Sequence, residues 1–349
     1  MDPSRKRRRL LITYNETDLS QSNSDLDRLS EEAVKDEAEM ISRTASQLGY
    51  TAECLPLLDL KDAINAIDAF NPDVIFNLCE GFQGKASHEM HIAGLWELMG
   101  IPYTGNSALT LGMAQNKVLT KKLLESKKIP TPAYQLFKTT PGNVYLPFPL
   151  FVKPSQEDAS LGITQKSIVY DFASLKKQVN ALLKKYDQFV LVERFIPGRE
   201  FNISILDCPD PKVLAISEID FSHLDQEYES VVSYESKWIE NHPLFRQTPA
   251  VCPAQIDSTL KSHLEDIALQ VYKILGCRDY ARVDVRVDPQ GHIYVLECNP
   301  NPDISEEAGF SKAIKAAGLS YSDFVETVIN QTIKRKSDDK HKRNAKRRS

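Results

Sequence analysis

The sequence predicts an α/β fold that gives way to α+β. Three observations carry that reading. Apolar strand runs alternate with helical runs over residues 10–102, short strands crowd together after residue 130, and a hairpin with a strong turn signal lies towards the C-terminus. Alternation argues for crossover units around a parallel sheet, and clustered strands for α+β.

The opening strand is Leu10-Leu11-Ile12-Thr13-Tyr14. A loop rich in Asn, Asp and Ser leads into a helix over 30–48, whose first-turn acidic residues complement the helix dipole. A strand over 52–57 and a helix over 59–70 follow, and residues 73–78 form an apolar run of the kind buried on both faces. A helix over 86–99 and the turn at Ile101-Pro102 complete this part. Ile129-Pro130-Thr131-Pro132 must be extended, because a residue before proline is pushed out of the helical region. Strands are then expected at 133–137, 148–153, 188–193, 200–206 and 213–218, with one amphipathic helix over 171–185. Residues 220–254 are polar and aperiodic, too long for a mere connector, as functional or mobile loops are. A helix over 257–275 and strands at 280–287 and 293–298 come next, the strands joined by the β-turn signal Asp288-Pro289-Gln290-Gly291. Helices at 306–317 and 321–333 close the pattern, and there is no internal repeat.

The 349 residues suffice for two or three domains with cores of their own. At 42% apolar and 26% charged the composition is that of a soluble globular protein, and no run approaches a membrane span. The basic stretch over residues 1–9 leads into a strand pattern, not the apolar core of a signal peptide. The formal charge of −5 hides an asymmetry: residues 334–349 carry nine Lys/Arg against two Asp, leaving a body with 34 basic and 46 acidic residues. Such a body does not read as a nucleic-acid binder, although its tail could. The six cysteines, with no CxxC and no paired spacing, predict free and mostly buried thiols in a reducing cytoplasm.

The sharpest chemistry lies on the last hairpin. Period-2 alternation puts Arg282 and Asp284 on one face of the first strand, and Glu297 and Asn299 on one face of the second. A turn centred between Gln290 and Gly291 sets Asp284 opposite Glu297. Like charges directly opposed destabilise a sheet, and a hard divalent cation with oxygen ligands compensates them, Asn299 adding a neutral oxygen. Taken alone, the pattern better fits a solvated face carrying an Arg–Asp or Arg–Glu ion pair, and the rest of the chain is what tips it towards metal. His88, Glu89 and His91 raise the thought of zinc, though two histidines are more often surface residues.

Several further segments stand in order along residues 10–330: Asn77-Leu78 with Glu80-Gly81; Gly100-Ile101-Pro102-Tyr103-Thr104-Gly105; Asn116-Lys117 with Lys121; Ile129-Pro130-Thr131-Pro132; Phe151-Val152-Lys153-Pro154; and Leu191-Val192-Glu193-Arg194-Phe195-Ile196-Pro197-Gly198-Arg199-Glu200. With Tyr280-Ala281-Arg282-Val283-Asp284 and Glu297-Cys298-Asn299, this set resembles the ATP-grasp superfamily in its D-alanine–D-alanine ligase branch. The resemblance implies an ATP-grasp fold: an N-terminal parallel α/β domain over 10–112 and two α+β subdomains, 113–200 and 201–333, enclosing the nucleotide. Residues 1–9 and the disordered basic tail 334–349 would flank them, the tail dispensable for chemistry. It implies ATP and two Mg²⁺ ions, with Mn²⁺ as a substitute, and phosphoryl transfer to a carboxylate followed by amine attack. Lys117 and Lys153 would contact the ATP, Ser160 and Gly162 its phosphates, Glu193, Arg194, Phe195 and Ile196 the adenine edge, and Glu200 the ribose. Asp284, Glu297 and Asn299 would bind metal, Arg282 would stabilise the oxyanion, and Lys237 of Tyr234-Glu235-Ser236-Lys237-Trp238 would reach the transferred phosphate from a lid. The partners implied are ATP and small carboxylate and amine substrates, with no membrane; the oligomeric state stays open, a homodimer included.

Departures cluster at the substrate end. Ala159, Trp238 and Ala308 stand where the family has a Ser–Tyr–Ser hydrogen-bonded triad. Tyr14-Asn15-Glu16-Thr17 replaces a glycine-rich loop, with Glu16 a shifted substitute for its carboxylate, and Asp303 replaces a glycine. Asp158 also stands in the phosphate loop where glycine is expected. The ligase chemistry is therefore expected and simple D-alanine is not. The competing reading is an ATP-grasp body altered in catalysis, with basic termini for nucleic-acid or nuclear interaction.

Overall fold

The computed structural model describes residues 8–16, 25–157, 160–186, 188–239 and 241–346, which build three sheets. Strands β1 (Arg9–Asn15), β2 (Thr51–Leu57) and β3 (Val74–Asn77) form the first, all parallel, in the order β2-β1-β3. All four residues of β3 are buried, as an apolar run in a parallel sheet demands. Helices α1 (Asp25–Gln47) and α2 (Leu60–Phe70) make the crossovers. Asp59 caps α2 by accepting the amides of Lys61 and Asp62.

Helix α3 (Glu89–Met99) follows a single 3₁₀ turn over Ala86–His88, so the helix expected over 86–99 is two pieces. Two helices then appear where none was expected, α4 (Ala108–Gln115) and α5 (Lys117–Ser126). Neither is betrayed by a clean apolar stripe, but both have caps: Ser107 accepts the Thr110 amide and Asn116 the Leu119 amide.

The second sheet is antiparallel, in the order β4-β7-β5-β6, from β4 (Tyr134–Phe137), β5 (Leu150–Pro154), β6 (Ile168–Val169) and β7 (Val190–Arg194), with α6 (Phe172–Lys185) packed on it. The third is antiparallel as well, in the order β10-β9-β8-β11-β12. Its strands are β8 (Arg199–Asp207), β9 (Pro211–Ile219), β10 (Ala250–Val251), β11 (Tyr280–Val287) and β12 (Ile293–Asn299). The polar stretch over 220–254 holds short helices α7 (Tyr234–Trp238) and α8 (Pro243–Gln247), and α9 (Ser258–Ile274) packs on the third sheet.

Helices α10 (Gly309–Ala316) and α11 (Tyr321–Lys346) return to the first sheet, where Phe310, Phe324 and Val328 share a core with Leu10, Ile12 and Phe76. Helix α11 runs through Lys346, into the stretch expected to be a disordered tail, and residues 347–349 lie outside the described residues. One cause is visible. Arg335 forms a bidentate ion pair with Asp279, whose side chain is 1% exposed and also accepts the Gly105 amide at 2.7 Å. That pair fixes a basic residue beyond the expected end of the fold.

The cysteines are corrected too. Only Cys79 and Cys298 are buried, while Cys54, on the edge strand β2, and Cys208, in the β8–β9 turn, are exposed. Linear spacing also hid one neighbour relation: the Cys277 and Cys298 sulfurs lie 3.9 Å apart. Among the described residues no helix is long and apolar enough to cross a membrane.

Candidate active site

One face of the third sheet gathers the charged residues. Asp284 pairs in register with Glu297 on β12 and with Asn202 on β8, Arg282 with Asn299, and Arg286 with Glu200. The expected apposition of the two carboxylates is therefore present, but it arises differently. The hairpin ends pair as Val287 with Ile293, one residue tighter than the turn signal implied, and the ladder slips between Val285–Val295 and Asp284–Glu297. Leu296 is the extra residue, a β-bulge that restores the expected pairing. Gly291 closes the turn at φ +84°, its amide donating to the Asp288 carbonyl at 2.9 Å.

Both carboxylates are held by side-chain cations. Arg282 forks Asp284, Nε to Oδ1 at 2.7 Å and Nη2 to Oδ2 at 2.8 Å, and Asn202 donates to Oδ1 at 2.8 Å. Thus the Arg–Asp ion pair of the competing hairpin reading exists alongside the carboxylate pair. Lys117 Nζ lies 3.1 Å from Glu297 Oε2. Burial alone would raise the Glu297 carboxyl, but Lys117, with Lys153 and Arg282, outweighs it and holds the group at about 2. Asp284, Glu297 and Asn299 supply oxygen donors only, a set that suits Mg²⁺.

A second network is deeper. Glu193, 2% exposed on β7, receives Lys121 Nζ at 2.8 Å and Lys153 Nζ at 3.1 Å. Lys121 also donates to Thr131 Oγ1 at 2.6 Å, and burial pushes its ammonium pKa down. Burial would raise Glu193, yet the two lysines hold it below the usual carboxylate range. Its carboxylate is thus an anchor for two lysines, a role the reading of this strand as an adenine edge did not include.

Arg286 ties the sheet to the connection between β7 and β8. It lies 3.1 Å from Glu200, donates to the Ile196 and Ser230 carbonyls, and sits 5.0 Å from the Phe195 ring centroid. Burial raises the Glu200 carboxyl against the pull of Arg286, and the nearby Asp284 and Glu297 charges push the same way.

These groups open onto a cleft of about 690 Å³. Of the residues singled out in the sequence, Lys153, Ser160, Glu193, Arg194, Phe195, Ile196, Glu200, Lys237, Arg282, Asp284, Glu297, Asn299, Asp303 and Ala308 line it. Lys117, Gly162 and Glu16 do not. Lys117 stands behind Glu297, and Gly162 supports the loop from outside, where a Cβ would fall 2.7 Å from Pro154. Ala159 and the Trp238 side chain lie outside the described residues. Burial and Arg282 lower the Lys237 ammonium pKa, against the opposing pull of Asp303, Glu80 and Asp284. The zinc reading of His88 and His91 fails among the described residues, where no group of three His, Cys, Asp or Glu side chains forms.

The segment after β5 and the long polar stretch zip together over the cleft. Ser160 Oγ donates to the Val232 carbonyl at 3.3 Å, the Tyr234 amide to Ile163 at 3.1 Å, and Tyr170 OH to Glu229 Oε1 at 2.5 Å. Sequence reasoning passed over Asn202 and Arg286 as site residues. Period-2 alternation would have found them, since Arg286 continues the face of Arg282 and Asp284, and Asn202 that of Glu200.

Residues 118–330 match a family model described as D-ala D-ala ligase C-terminus. The chain belongs to the D-alanine–D-alanine ligase family. A Marinomonas D-alanine–D-alanine ligase is 32% identical over 273 residues, 76% of this chain and 80% of that one. A Sinorhizobium fredii protein called uncharacterized protein y4sG is 35% identical over 263 residues, 75% of each chain. The crystal structure of D-alanine–D-alanine ligase from Bacillus anthracis complexed with ATP superposes with a TM-score of 0.73 at 24% identity, covering 95% of this chain and 99% of that one. The fold is ATP-grasp, and this family member is an ATP-grasp ligase that forms carbon–nitrogen bonds.

Proposed function

We propose that the chain joins a small carboxylate to a small amine at the expense of ATP, and that its preferred substrate is not D-alanine. The observation that carries the reading is the juxtaposition of Asp284, Glu297 and Arg282 at the floor of a cleft walled by residues 193–196. The adenine would lie along Glu193, Arg194, Phe195 and Ile196, with Glu200 on the ribose and Ser160 over the phosphates. Lys153 and Lys237 would neutralise phosphate oxygens from opposite walls. Asp284, Glu297 and Asn299 would hold two divalent cations, Mg²⁺ or Mn²⁺, whose chemistry is to neutralise charge on the phosphates.

The substrate carboxylate oxygen attacks the γ-phosphorus, ADP leaves, and an acyl phosphate forms. The amine then adds to the acyl carbon, and the tetrahedral oxyanion collapses to an amide with loss of inorganic phosphate and a proton. Arg282 commits two of its five N–H donors to Asp284 and keeps the others for the oxyanion. The zipped segments over the cleft exclude water, which would otherwise hydrolyse the acyl phosphate.

The substrate reading rests on Ala159, Trp238 and Ala308, which lack the hydroxyls of the family's triad. A site built to hydrogen-bond its substrate discriminates strongly, and an unmatched buried polar group costs about 1–3 kcal/mol. Phosphate release from Mg-ATP across a matrix of D- and L-amino acids tests the reading. Amide formation with another amino acid, at least tenfold more efficient than with D-alanine, is the expected result on the order of those energies. Saturable D-alanyl-D-alanine synthesis within an order of magnitude of the best alternative would overturn the substrate reading. No amide product from any pair would overturn the activity.

A further inference from the structure

We propose that Cys277 and Cys298 are a modification site, a dithiol that peroxide converts into a reversible disulfide, and that closing it weakens the hold of β12 on a divalent cation. The second half rests on the metal reading of Glu297 and Asn299 above.

The two sulfurs lie 3.9 Å apart across 21 positions of sequence. A disulfide is about 2.05 Å long, so side-chain rotation with a small backbone shift completes the bond. The two thiols differ in access. Cys298 is 3% exposed, in the core beneath α9, whereas Cys277, on the connection from α9 to β11, is half-buried. The oxidant has to reach only the outer sulfur. The Cys277 sulfur attacks one oxygen of hydrogen peroxide, the O–O bond breaks, and water leaves with the thiol proton, giving a sulfenic acid. The Cys298 sulfur then attacks that of Cys277, the S–O bond breaks, and a second water departs with the Cys298 proton. Peroxide has taken the two electrons.

The backbone around Cys277 is clamped. Its amide donates to the Tyr272 carbonyl at 2.9 Å, Thr110 Oγ1 donates to the Gly276 carbonyl at 3.0 Å, and the Arg278 amide to Asn106 Oδ1 at 2.8 Å. By contrast, β12 is the edge strand of its sheet, and its ladder slips at Leu296, two residues before Cys298. The shift therefore falls on β12. Cys298 stands between Glu297 and Asn299, with its side chain on the opposite face of the strand from theirs. Drawing Cys298 towards α9 pulls both candidate ligands back from the cleft, and metal–ligand distances tolerate only about 0.2 Å.

The test treats the full chain with hydrogen peroxide or dithiothreitol, digests it without reductant and maps the peptides by mass. A linked Cys277–Cys298 pair, short of two hydrogen atoms and reversed by dithiothreitol, is the expected product. Mn²⁺ binding, followed by loss of the free-ion electron paramagnetic resonance signal, should weaken about fivefold or more on oxidation and recover on reduction. Cys277→Ser and Cys277→Ala should bind Mn²⁺ as the reduced wild type does and ignore peroxide. With two variants, a folding failure in one, seen by circular dichroism, leaves the question decidable. Oxidation of the exposed Cys54 or Cys208 with Cys277 and Cys298 unlinked would overturn the site. A linked pair with unchanged Mn²⁺ affinity would overturn its coupling to β12. Absence of Mn²⁺ binding to the reduced chain would bring down the metal reading and the coupling with it, whereas the peptide map still decides the disulfide.

Discussion

Glu193 and Glu297 both hold lysines, yet they do different work. Glu193 lies 3% exposed by its side chain between two lysines that are 0% and 5% exposed, so all three charges are buried. The Glu297 side chain is 33% exposed over an equally buried Lys117, and one edge of it faces the cleft. With three charges meeting on one buried carboxylate, the network serves as an anchor between α5, β5 and β7, even though Lys153 and Glu193 also border the cleft. A half-open pair can exchange, and that is what a site for an incoming cation requires. Burial, not the identity of the residues, separates scaffold from machinery here.

The comparison breaks most visibly at Glu193. Glu193→Gln strands two buried ammonium groups and should destabilise the fold by about 3–5 kcal/mol in denaturant titration. Lys117→Met should cost less, since Glu297 can turn towards water; the reverse ranking would dissolve the distinction. The same contrast appears in acid. The Glu193 carboxyl is held below its ordinary value of 4.5, so its contribution is present above that pH and is lost as the pH falls below it. The acid limb of a stability–pH curve should therefore flatten in Glu193→Gln.

A smaller effect is expected at the chain's end. Truncation after Ile333 removes Arg335 and leaves buried Asp279 with the Gly105 amide, a loss of about 1–3 kcal/mol. Truncation after Lys336 should be near neutral, and equal stability of the two would show that the Arg335 pair contributes nothing. The smallest effect belongs to the zipped segments. Tyr170 is exposed, so Tyr170→Phe should weaken closure by less than about 1 kcal/mol. That should appear as a few-fold faster proteolysis over residues 220–249, with unchanged global stability.

Much of this was legible in the sequence, unevenly. The α/β opening, the terminal hairpin and the apposition of Asp284 with Glu297 followed from periodicity and one turn signal, although the bulge at Leu296 was invisible because it compensates a turn tighter than the signal implied. Helices α4 and α5 escaped because their apolar pattern does not track burial: α4 buries Thr110 and Gln115 while Leu109 is exposed, and α5 buries Lys117, Thr120 and Lys121. Side-chain cations were the larger gap. Nothing local links Lys121 to Glu193, or Arg335 to Asp279, since each pair is assembled by packing between distant segments. Lys117, expected to contact the ATP, pairs with Glu297 and is not among the residues lining the cleft, for spacing places a lysine on an element, not on one side or the other of a carboxylate.

The first sheet has one more implication, for the order in which the chain can become stable on the ribosome. One of its faces is covered by α2 and α3, made soon after it, through Leu11, Ile75 and Trp96. The other is packed by Val34, Ala38 and Ile41 of α1 and shares its core with Phe310, Ile314, Phe324 and Ile329, which come much later in the chain. Domains commonly fold as they emerge, the first made being the first finished. Helix α1 covers part of this face at once, but the rest is closed only by α10 and α11, so completing the first sheet depends on helices far along the chain.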